Sequence, residues 1–235
     1  MKIQGSVALV TGGNRGLGKE FVLALLAAGA KKVYAAVRDP AAVSPTPGVV
    51  PLKLDVTKLE DITAAARECG DVSLLVNNAG IVRFGGLLDP TSLNSAREEW
   101  DTTFLGPLAL SQAFAPILAS NGGGAIVNVL SALSWISMPG VATYSAAKAA
   151  AWSLTNGLRN ELQGQSTEVF GLHVAYMDTD MAKGMTVPKT SPREVAQHAV
   201  ESIQQGHFEI LVDEISKQLK SNLSNGVYLQ NPLHQ

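Results

Sequence analysis

Short continuous apolar runs alternate along the chain with longer stretches whose apolar residues recur at helical spacing. The short runs have the length of buried strands, and the longer stretches are typical of helices. Strands are predicted at residues 7–11, 32–37, 50–54, 73–76, 123–129, 169–176 and 210–212. Helices are predicted at residues 16–28, 58–69, 95–120, 142–162 and 191–205.

This alternation of strands and helices predicts a parallel sheet that is covered by helices on both faces. We therefore predict an α/β fold of the Rossmann type, a doubly wound parallel sheet in a single domain over residues 1–235. Ligands of such folds bind at the carboxyl ends of the strands, where the polar motifs of this chain fall. One connection, residues 38–48, contains Pro40, Pro45 and Pro47, which argues against a full crossover helix there.

The composition limits which classes of partner the protein is expected to bind and in which cellular compartment it is expected to occur. Hydrophobic residues make up 46% of the 235 residues and charged residues 16%, as expected for a well-buried core. A net charge of −2 argues against nucleic acid as the main partner. The single cysteine, Cys69, permits no intrachain disulfide. The amino terminus does not resemble a signal peptide, and the longest apolar stretch, 21–30, is about half a bilayer span, so we expect a cytoplasmic protein without a membrane partner.

A glycine-rich segment joins the first predicted strand to the first helix. Glycines at this position let the backbone approach a pyrophosphate, whose charge is met by the helix N-terminus. The alternative is an ordinary tight turn, but the strand–loop–helix context favours a dinucleotide site. The expected contacts are Gly12, Asn14, Arg15, Gly16, Leu17 and Gly18.

The charges beside this loop indicate which dinucleotide binds. NAD-binding proteins usually carry an acidic residue at the end of the second strand, whereas this chain has Arg38 followed by Asp39. Arg15 and Arg38 could hold one 2′-phosphate together, which favours NADPH over NAD. The alternative is a solvated Arg38, with Asp39 binding the ribose. Asp55 and its neighbour Val56 are placed to contact the adenine, although Asp55 could also cap a helix.

Candidate chemistry is concentrated in the helix at 142–162. Tyr144 and Lys148 lie one turn apart on the same helix face. An ammonium beside a phenol favours the phenolate, so we expect Lys148 to lower the pKa of Tyr144 toward neutrality. Such a tyrosine can exchange a proton with a carbonyl or an alcohol near pH 7. On its own the pair more often indicates an interfacial tyrosine and a solvated lysine, and the other motifs of the chain reverse that interpretation.

Together these motifs closely resemble the short-chain dehydrogenase/reductase family. The glycine segment matches the family's T-G-x-x-x-G-x-G loop, and Asn77-Asn78-Ala79-Gly80 matches its N-N-A-G turn, which lies under the cofactor. Ser131 and Tyr144-x-x-x-Lys148 match the catalytic serine and the Y-x-x-x-K motif at the family's usual spacing. The resemblance runs from about residue 7 to residue 179 and is closest to carbonyl reductases.

The resemblance implies a role for each matching residue. Tyr144 would protonate a carbonyl oxygen as hydride arrives, and Ser131 would hydrogen-bond the same oxygen. Lys148 would bind the nicotinamide ribose, and Thr179 would contact the carboxamide. The alternative interpretations are a turn residue for Ser131 and a helix cap for Thr179.

Two positions depart from the family pattern. Family members commonly carry an asparagine, three residues before a glycine, that organises a water linked to the lysine. Thr103 occupies that position here, and its hydroxyl offers one donor where an amide offers two, which puts the proton relay in question. Val174-Ala175 replaces the Pro-Gly pair that usually follows the sixth strand.

The substrate side is predicted to be apolar and adaptable, and no metal site is predicted. We expect pocket residues at Trp135, Met138, Met177 and Met185, with a short lid at about 181–190. This set favours a neutral, hydrophobic ketone or aldehyde. The alternative for Trp135 and for Trp152 is a subunit interface.

The leading hypothesis is thus an NADPH-dependent carbonyl reductase that also catalyses the reverse alcohol oxidation. A nucleotide-sensing binding protein with the same fold and weak catalysis is the alternative, slightly favoured by Thr103. A sugar-nucleotide epimerase or dehydratase is a third possibility, but the chain lacks an extra substrate domain. Small residues around the helix at 142–162 predict a homodimer or homotetramer.

Overall fold

A computed structural model describes residues 1–229 of the chain. Its core is a seven-stranded sheet in which every neighbouring pair is parallel, in the order β3-β2-β1-β4-β5-β6-β7. The predicted doubly wound parallel sheet is thereby confirmed. The strands are β1 Val7–Thr11, β2 Lys32–Val37, β3 Val49–Lys53, β4 Leu74–Asn77, β5 Gly124–Val129, β6 Thr167–His173 and β7 Glu209–Leu211.

Helices cover both faces of this sheet. One apolar layer joins the sheet to α1 and α6, and the opposite layer joins it to α2, α4 and α5. The helices are α1 Gly16–Ala27, α2 Leu59–Glu68, α3 Ser92–Trp100, α4 Gly106–Ser120, α5 Ala142–Leu162, α6 Pro192–Gln205 and α7 Glu214–Ser221.

Burial explains why the central strands have uninterrupted apolar sequences. All residues of β1 and β4 are buried, because helices cover both faces of the sheet there. The edge strand β3 alone contains a proline, Pro51, which is tolerated because an edge strand has free backbone positions. The proline-rich 38–48 connection contains a single short turn at Pro40–Ala42, in agreement with the absence of a crossover helix.

The structure differs most from the sequence prediction at three elements. The helix predicted at 95–120 begins three residues earlier and contains a π-helical turn at Asp101–Leu105 between α3 and α4. Strand β6 ends at His173, not at residue 176, because the Ala175 N–H donates to the Asp213 carboxylate (2.7 Å). Helix α7 was not predicted, because it has only 8 residues and a mostly polar sequence.

One helical stretch, Ser92–Ser120, is long and apolar enough by length and composition to cross a bilayer. Its Leu110, Phe114 and Leu118 side chains are fully buried in the layer between the sheet and its helices. That is the position of a core helix, whose apolar face is already covered by the protein.

Candidate active site

A cleft of about 1170 Å³ runs along the carboxyl edge of the sheet. This is the edge at which open α/β sheets bind their ligands. It brings together the glycine loop, the Asn78–Gly80 turn, the end of β5, the first turns of α5 and the segment after β6. Motifs that are far apart in the sequence therefore share one cavity.

Two positions of the glycine loop have a left-handed backbone conformation that favours glycine. Gly12 and Gly16 have φ values of +68° and +50°. A Cβ added at Gly18 would collide with the Gly12 carbonyl oxygen, so the loop and α1 approach more closely than a side chain permits. Helix α1 begins at Gly16 behind an extended Arg15, and no side chain caps its first N–H groups. The loop therefore fits a pyrophosphate, which would accept from these free donors.

The second motif is hydrogen-bonded directly to the glycine loop. The Asn78 amide donates to the Thr11 carbonyl (2.8 Å), and the backbone N–H groups of Asn78 and Ala79 donate to the Thr11 hydroxyl (2.9 and 3.0 Å). These contacts are possible because β1 and β4 are neighbours in the sheet although 63 residues separate Thr11 from Leu74, the start of β4. These hydrogen bonds hold the two motifs together as one continuous surface of the cleft.

The end of the cleft beside β2 and β3 is lined by Arg38, Asp55 and Val56. Asp55 accepts from the N–H and the hydroxyl of Thr57 (3.0 and 2.8 Å), which makes it a turn residue, while Lys58 occupies the N-cap of α2. Asp39 accepts from the Ala41 N–H (3.0 Å) in its own turn. The Asp39 carboxylate is therefore partly engaged, whereas Arg38 is exposed at the cleft.

Arg15 reaches across the cleft to the segment that follows β6. Its Nη1 lies 3.2 Å from Asp180 Oδ2, and both side chains are largely exposed. Thr179, the residue before Asp180, also lines the cleft. An exposed pair of this kind contributes little to stability, so Arg15 can exchange Asp180 for another anion at small cost.

Ser131, Tyr144 and Lys148 all line the cleft. Ser131 lies two residues after the end of β5, and the other two lie in successive turns of α5. Lys148 is buried, donates to the Val129 carbonyl (2.6 Å) and lies 5.6 Å from the centre of the Tyr144 ring. The Ser131 hydroxyl oxygen accepts from the Leu133 N–H (3.1 Å), which leaves its proton free to be donated.

The ionisation of this group differs from the sequence expectation. Burial raises the pKa of Tyr144 above its usual value; the hydrogen bond with Ser131 lowers that pKa, and the Glu99 carboxylate raises it further. Burial also lowers the pKa of Lys148 to about 8. From the sequence, the charge of Lys148 was expected to determine the pKa of Tyr144. Desolvation has the larger effect on that pKa here.

A buried polar chain supports α5 from below. The Asn77 amide donates to Asn128 (2.8 Å), the Asn128 amide donates to Thr155 (2.9 Å), and Thr155 donates to the Ala151 carbonyl (2.7 Å). This chain connects β4 and β5 to the helix that carries Tyr144. The sequence analysis missed it, although an asparagine inside the apolar run of β5 was an available signal.

Thr103 does not line the cleft. It is buried in the π-helical turn, and its hydroxyl oxygen has no hydrogen-bond partner among the described residues. One turn earlier, Glu99 is fully buried and accepts from the Arg83 N–H (2.7 Å) through one carboxylate oxygen. Glu99 was not identified from the sequence, because it lies in a helix rich in exposed charges.

The substrate side agrees only in part with the sequence prediction. Met138, Met177 and Met185 line the cleft, together with Phe84 and Tyr176, which the sequence analysis did not single out. Trp135 corrects the prediction: it lies outside the cleft, is buried, and stacks on His173 with ring centres 4.0 Å apart. The chain turns inward after Ser131, so Trp135 packs behind the serine and does not face a substrate.

Comparison with known families gives a match to the short chain dehydrogenase model over residues 6–189. Among curated proteins, the short chain dehydrogenase tazN of Aspergillus terreus is 33% identical over 205 residues, which are 78% of this chain and 44% of that protein. The chain thus spans less than half of that relative. Carbonyl reductase [NADPH] 2 of Sus scrofa is 33% identical over 194 residues, 79% of this chain and 78% of that protein.

Solved structures give the same result. A short chain dehydrogenase from Burkholderia cenocepacia in complex with NADP is 38% identical, with a TM-score of 0.91 and coverage of 95% of this chain and 94% of that chain. A short chain dehydrogenase/reductase from Burkholderia phymatum in complex with NAD is 24% identical, with a TM-score of 0.86 and coverage of 99% and 98%. The latter likeness shows the fold alone.

Proposed function

The chain belongs to the short-chain dehydrogenase/reductase family, and on this basis we propose that it is an NADPH-dependent reductase of neutral, hydrophobic ketones or aldehydes. The observation that carries the proposal is the convergence of Ser131, Tyr144 and Lys148 in one cleft with the glycine loop. The reverse reaction, alcohol oxidation, uses the same groups.

Each of these side chains has a role that follows from its surroundings. A bound nicotinamide cofactor supplies the hydride. Tyr144 gives its phenolic proton to the carbonyl oxygen, and its raised pKa keeps it protonated at neutral pH, which suits reduction. Ser131 donates its free hydroxyl proton to the same oxygen and orients it. Lys148 places an ammonium beside the phenol, and Thr179 lines the opposite side of the cleft.

The preference for NADPH rests on Arg15 and Arg38. Both line the cleft at its adenosine end, and guanidinium groups suit a phosphate. The Asp180 partner of Arg15 is an exposed surface carboxylate that a 2′-phosphate can replace. Asp39, the residue that would bind a ribose in an NAD enzyme, is held in its own turn.

The substrate class follows from the apolar side of the cleft. Met138, Met177 and Met185 form an adaptable wall, and a lid at about 181–190 continues from it. Methionines accommodate several shapes, so we infer a broad tolerance for neutral carbonyl compounds.

We infer further that the protein acts in the cytoplasm as a homodimer or homotetramer. Ala146 on α5 is exposed. Trp100 and Phe104 stack on each other with ring centres 4.6 Å apart, and Trp100 is exposed. Such small and aromatic surfaces suit tight pairing of helices. Light scattering tests this: a mass near 24.6 kDa at micromolar concentration would contradict it.

One screen tests the whole proposal. Purified protein is incubated with NADPH or NADH and a panel of aryl and alkyl ketones and aldehydes, and cofactor oxidation is followed by absorbance. Turnover with NADPH and apolar carbonyls supports the proposal. Tight NADPH binding without turnover of any carbonyl favours the nucleotide-sensing alternative, for which the unpartnered Thr103 hydroxyl is the specific observation.

A further inference from the structure

His173 is a fully buried titratable residue directly behind the proposed active site. It is the last residue of β6, and its Nδ1 lies 3.2 Å from the carbonyl oxygen of Ser131. A carbonyl oxygen only accepts hydrogen bonds, so Nδ1 must carry the proton that joins the two groups. The contact thus fixes both the tautomer of His173 and the carbonyl of Ser131.

Two charged residues from the end of the chain lie behind the other ring nitrogen. Nε2 of His173 is 3.6 Å from Glu209 Oε1, and Glu209 Oε2 is 2.7 Å from Lys220 Nζ. Glu209 also accepts from the Trp152 indole N–H (3.3 Å). A chain of polar side chains therefore runs from α7 and β7 to the ring of His173, whose Nε2 has no hydrogen-bond partner among the described residues.

Aromatic rings enclose this chain. Trp135 stacks on His173 with an angle of 18° between the planes, and Lys220 Nζ lies 5.1 Å from the centre of the Trp135 ring and 5.3 Å from that of Trp152. An ammonium over aromatic faces is stabilised by the ring quadrupoles. His173 is completely buried among these groups, whereas Glu209 and Lys220 remain partly exposed.

We propose that His173 is a positioning residue that holds the Ser131 carbonyl, and thereby the Ser131 hydroxyl, in place, and that Lys220, paired with Glu209, holds the stacked Trp135 ring against it. This inference rests on the proposed reductase activity. Glu209 and Lys220 lie beyond residues 6–189, the part of the chain that matches the family model. The end of the chain thus takes part in the geometry of the active site.

The other ties of Ser131 show what the histidine adds. The Ser131 N–H donates to Ser134 (3.2 Å), and its hydroxyl oxygen accepts from the Leu133 N–H. Both partners belong to the same short turn and move with it. The Ala132 N–H donates to the Val174 carbonyl (3.1 Å), and His173 adds a side-chain tie between this turn and β6.

The charge states agree with this arrangement. Burial lowers the pKa of His173, although Glu209 and the Ser131 carbonyl oppose the shift, and Lys220 adds to it. His173 and Lys220 together hold the pKa of Glu209 at about 2. Trp135, which stacks on the ring, carries no charge. At neutral pH the imidazole is therefore neutral, and because its single proton is on Nδ1, its Nε2 makes no hydrogen bond to the Glu209 carboxylate.

A matched pair of variants separates the hydrogen bond from packing. His173→Phe keeps the stacked ring and removes the donor, whereas His173→Asn places an amide N–H close to the Nδ1 position and removes the ring. We expect His173→Phe to lower kcat about tenfold or more, because small misplacements of reacting groups can cost ~10²-fold. Its NADPH affinity should stay within about twofold, and His173→Asn should recover part of the lost kcat. Unchanged kcat in His173→Phe, or lower kcat in His173→Asn than in His173→Phe, would overturn the proposal.

Lys220→Met provides a second test if the histidine variants do not fold. It should lower kcat severalfold, whereas Lys217→Met, on the exposed side of the same helix, should leave kcat unchanged. Equal kcat in both lysine variants would overturn the role of Lys220.

A readout without turnover keeps this proposal separate from the enzymatic assignment. In a long-range ¹H–¹⁵N correlation spectrum, the His173 signal should show a neutral ring protonated at Nδ1, and it should disappear in His173→Phe. Protonation at Nε2 would overturn the positioning role. If the spectrum shows the predicted tautomer but the protein turns over no carbonyl, the reductase proposal is refuted, whereas the hydrogen bond from His173 to the Ser131 carbonyl is supported.

Discussion

The two sides of the cleft are held in place by different means. On the cofactor side, the glycine loop and the Asn78 turn are fixed by backbone conformations and by Thr11, a residue of the loop itself. On the catalytic side, Ser131 and α5 are fixed by buried side chains, among them Asn128 and His173. The cofactor side is therefore encoded by two short motifs, the glycine loop and the Asn78 turn. The catalytic side depends on side chains from several distant parts of the chain.

The largest expected effect tests the catalytic side. Tyr144→Phe keeps the ring and removes the proton donor, and general acid catalysis contributes ~10²–10⁴-fold to rate. We expect kcat to fall by that factor while NADPH binding, measured by fluorescence titration, is retained, because the cofactor side has its own supports. Tyr228→Phe, an exposed tyrosine outside the cleft, is the control. Retention of more than about a tenth of kcat would remove Tyr144 as the acid.

The next effect tests the cofactor side. Arg38→Ala should weaken NADPH by roughly 1.5–3 kcal/mol, the contribution of a hydrogen bond to a charged group, and barely affect NADH. Arg97→Ala removes an exposed arginine outside the cleft and serves as the control for net charge. Dissociation constants for both cofactors measure the result. A native preference for NADH would refute this interpretation of the two arginines.

A pH profile sharpens the comparison at Lys148. Because burial lowers its pKa to about 8, the residue loses its charge as the pH rises above 8, while Tyr144, with its raised pKa, remains protonated. The kcat/KM of carbonyl reduction should therefore fall on the alkaline side near pH 8. Lys148→Arg should move this limb to higher pH, because arginine stays charged. A flat profile up to pH 10 in the native protein would contradict the assignment.

The smallest expected effect concerns Thr103, which is buried in the π-helical turn outside the cleft. If the position serves a proton relay, Thr103→Asn should raise kcat severalfold with little change in cofactor affinity, because a relay acts on proton transfer and not on binding. Thr103→Val is the control, since it removes a buried hydroxyl that has no hydrogen-bond partner and should leave activity unchanged.

Stopped-flow measurements show whether hydride transfer limits the rate in the native protein and in Thr103→Asn. An unchanged or lower kcat in Thr103→Asn would mean that Thr103 is no defect and that other groups carry the proton. Glu99, one helical turn away with a second carboxylate oxygen that has no hydrogen-bond partner among the described residues, is then the first group to replace.

The parts that were predicted from the sequence are those whose structure and chemistry are both specified by residues close together in the chain. The apolar run of β1 and the glycines after it specify a strand, a turn with positive φ and a helix start, so the loop was correctly located. Trp135 was misplaced for the opposite reason. Its position depends on the turn at Ser131 and on His173, a contact between residues that are 38 positions apart.

The sequence by itself determined the alternating elements, the parallel sheet and the motif residues, because hydrophobic periodicity and glycine conformation are local properties. The tertiary structure alone decided the ionisation of Tyr144 and Lys148, since desolvation depends on everything packed around a group. It also decided that Glu209 and Lys220 lie behind Ser131, because only the neighbouring β6 and β7 bring the end of the chain to that point.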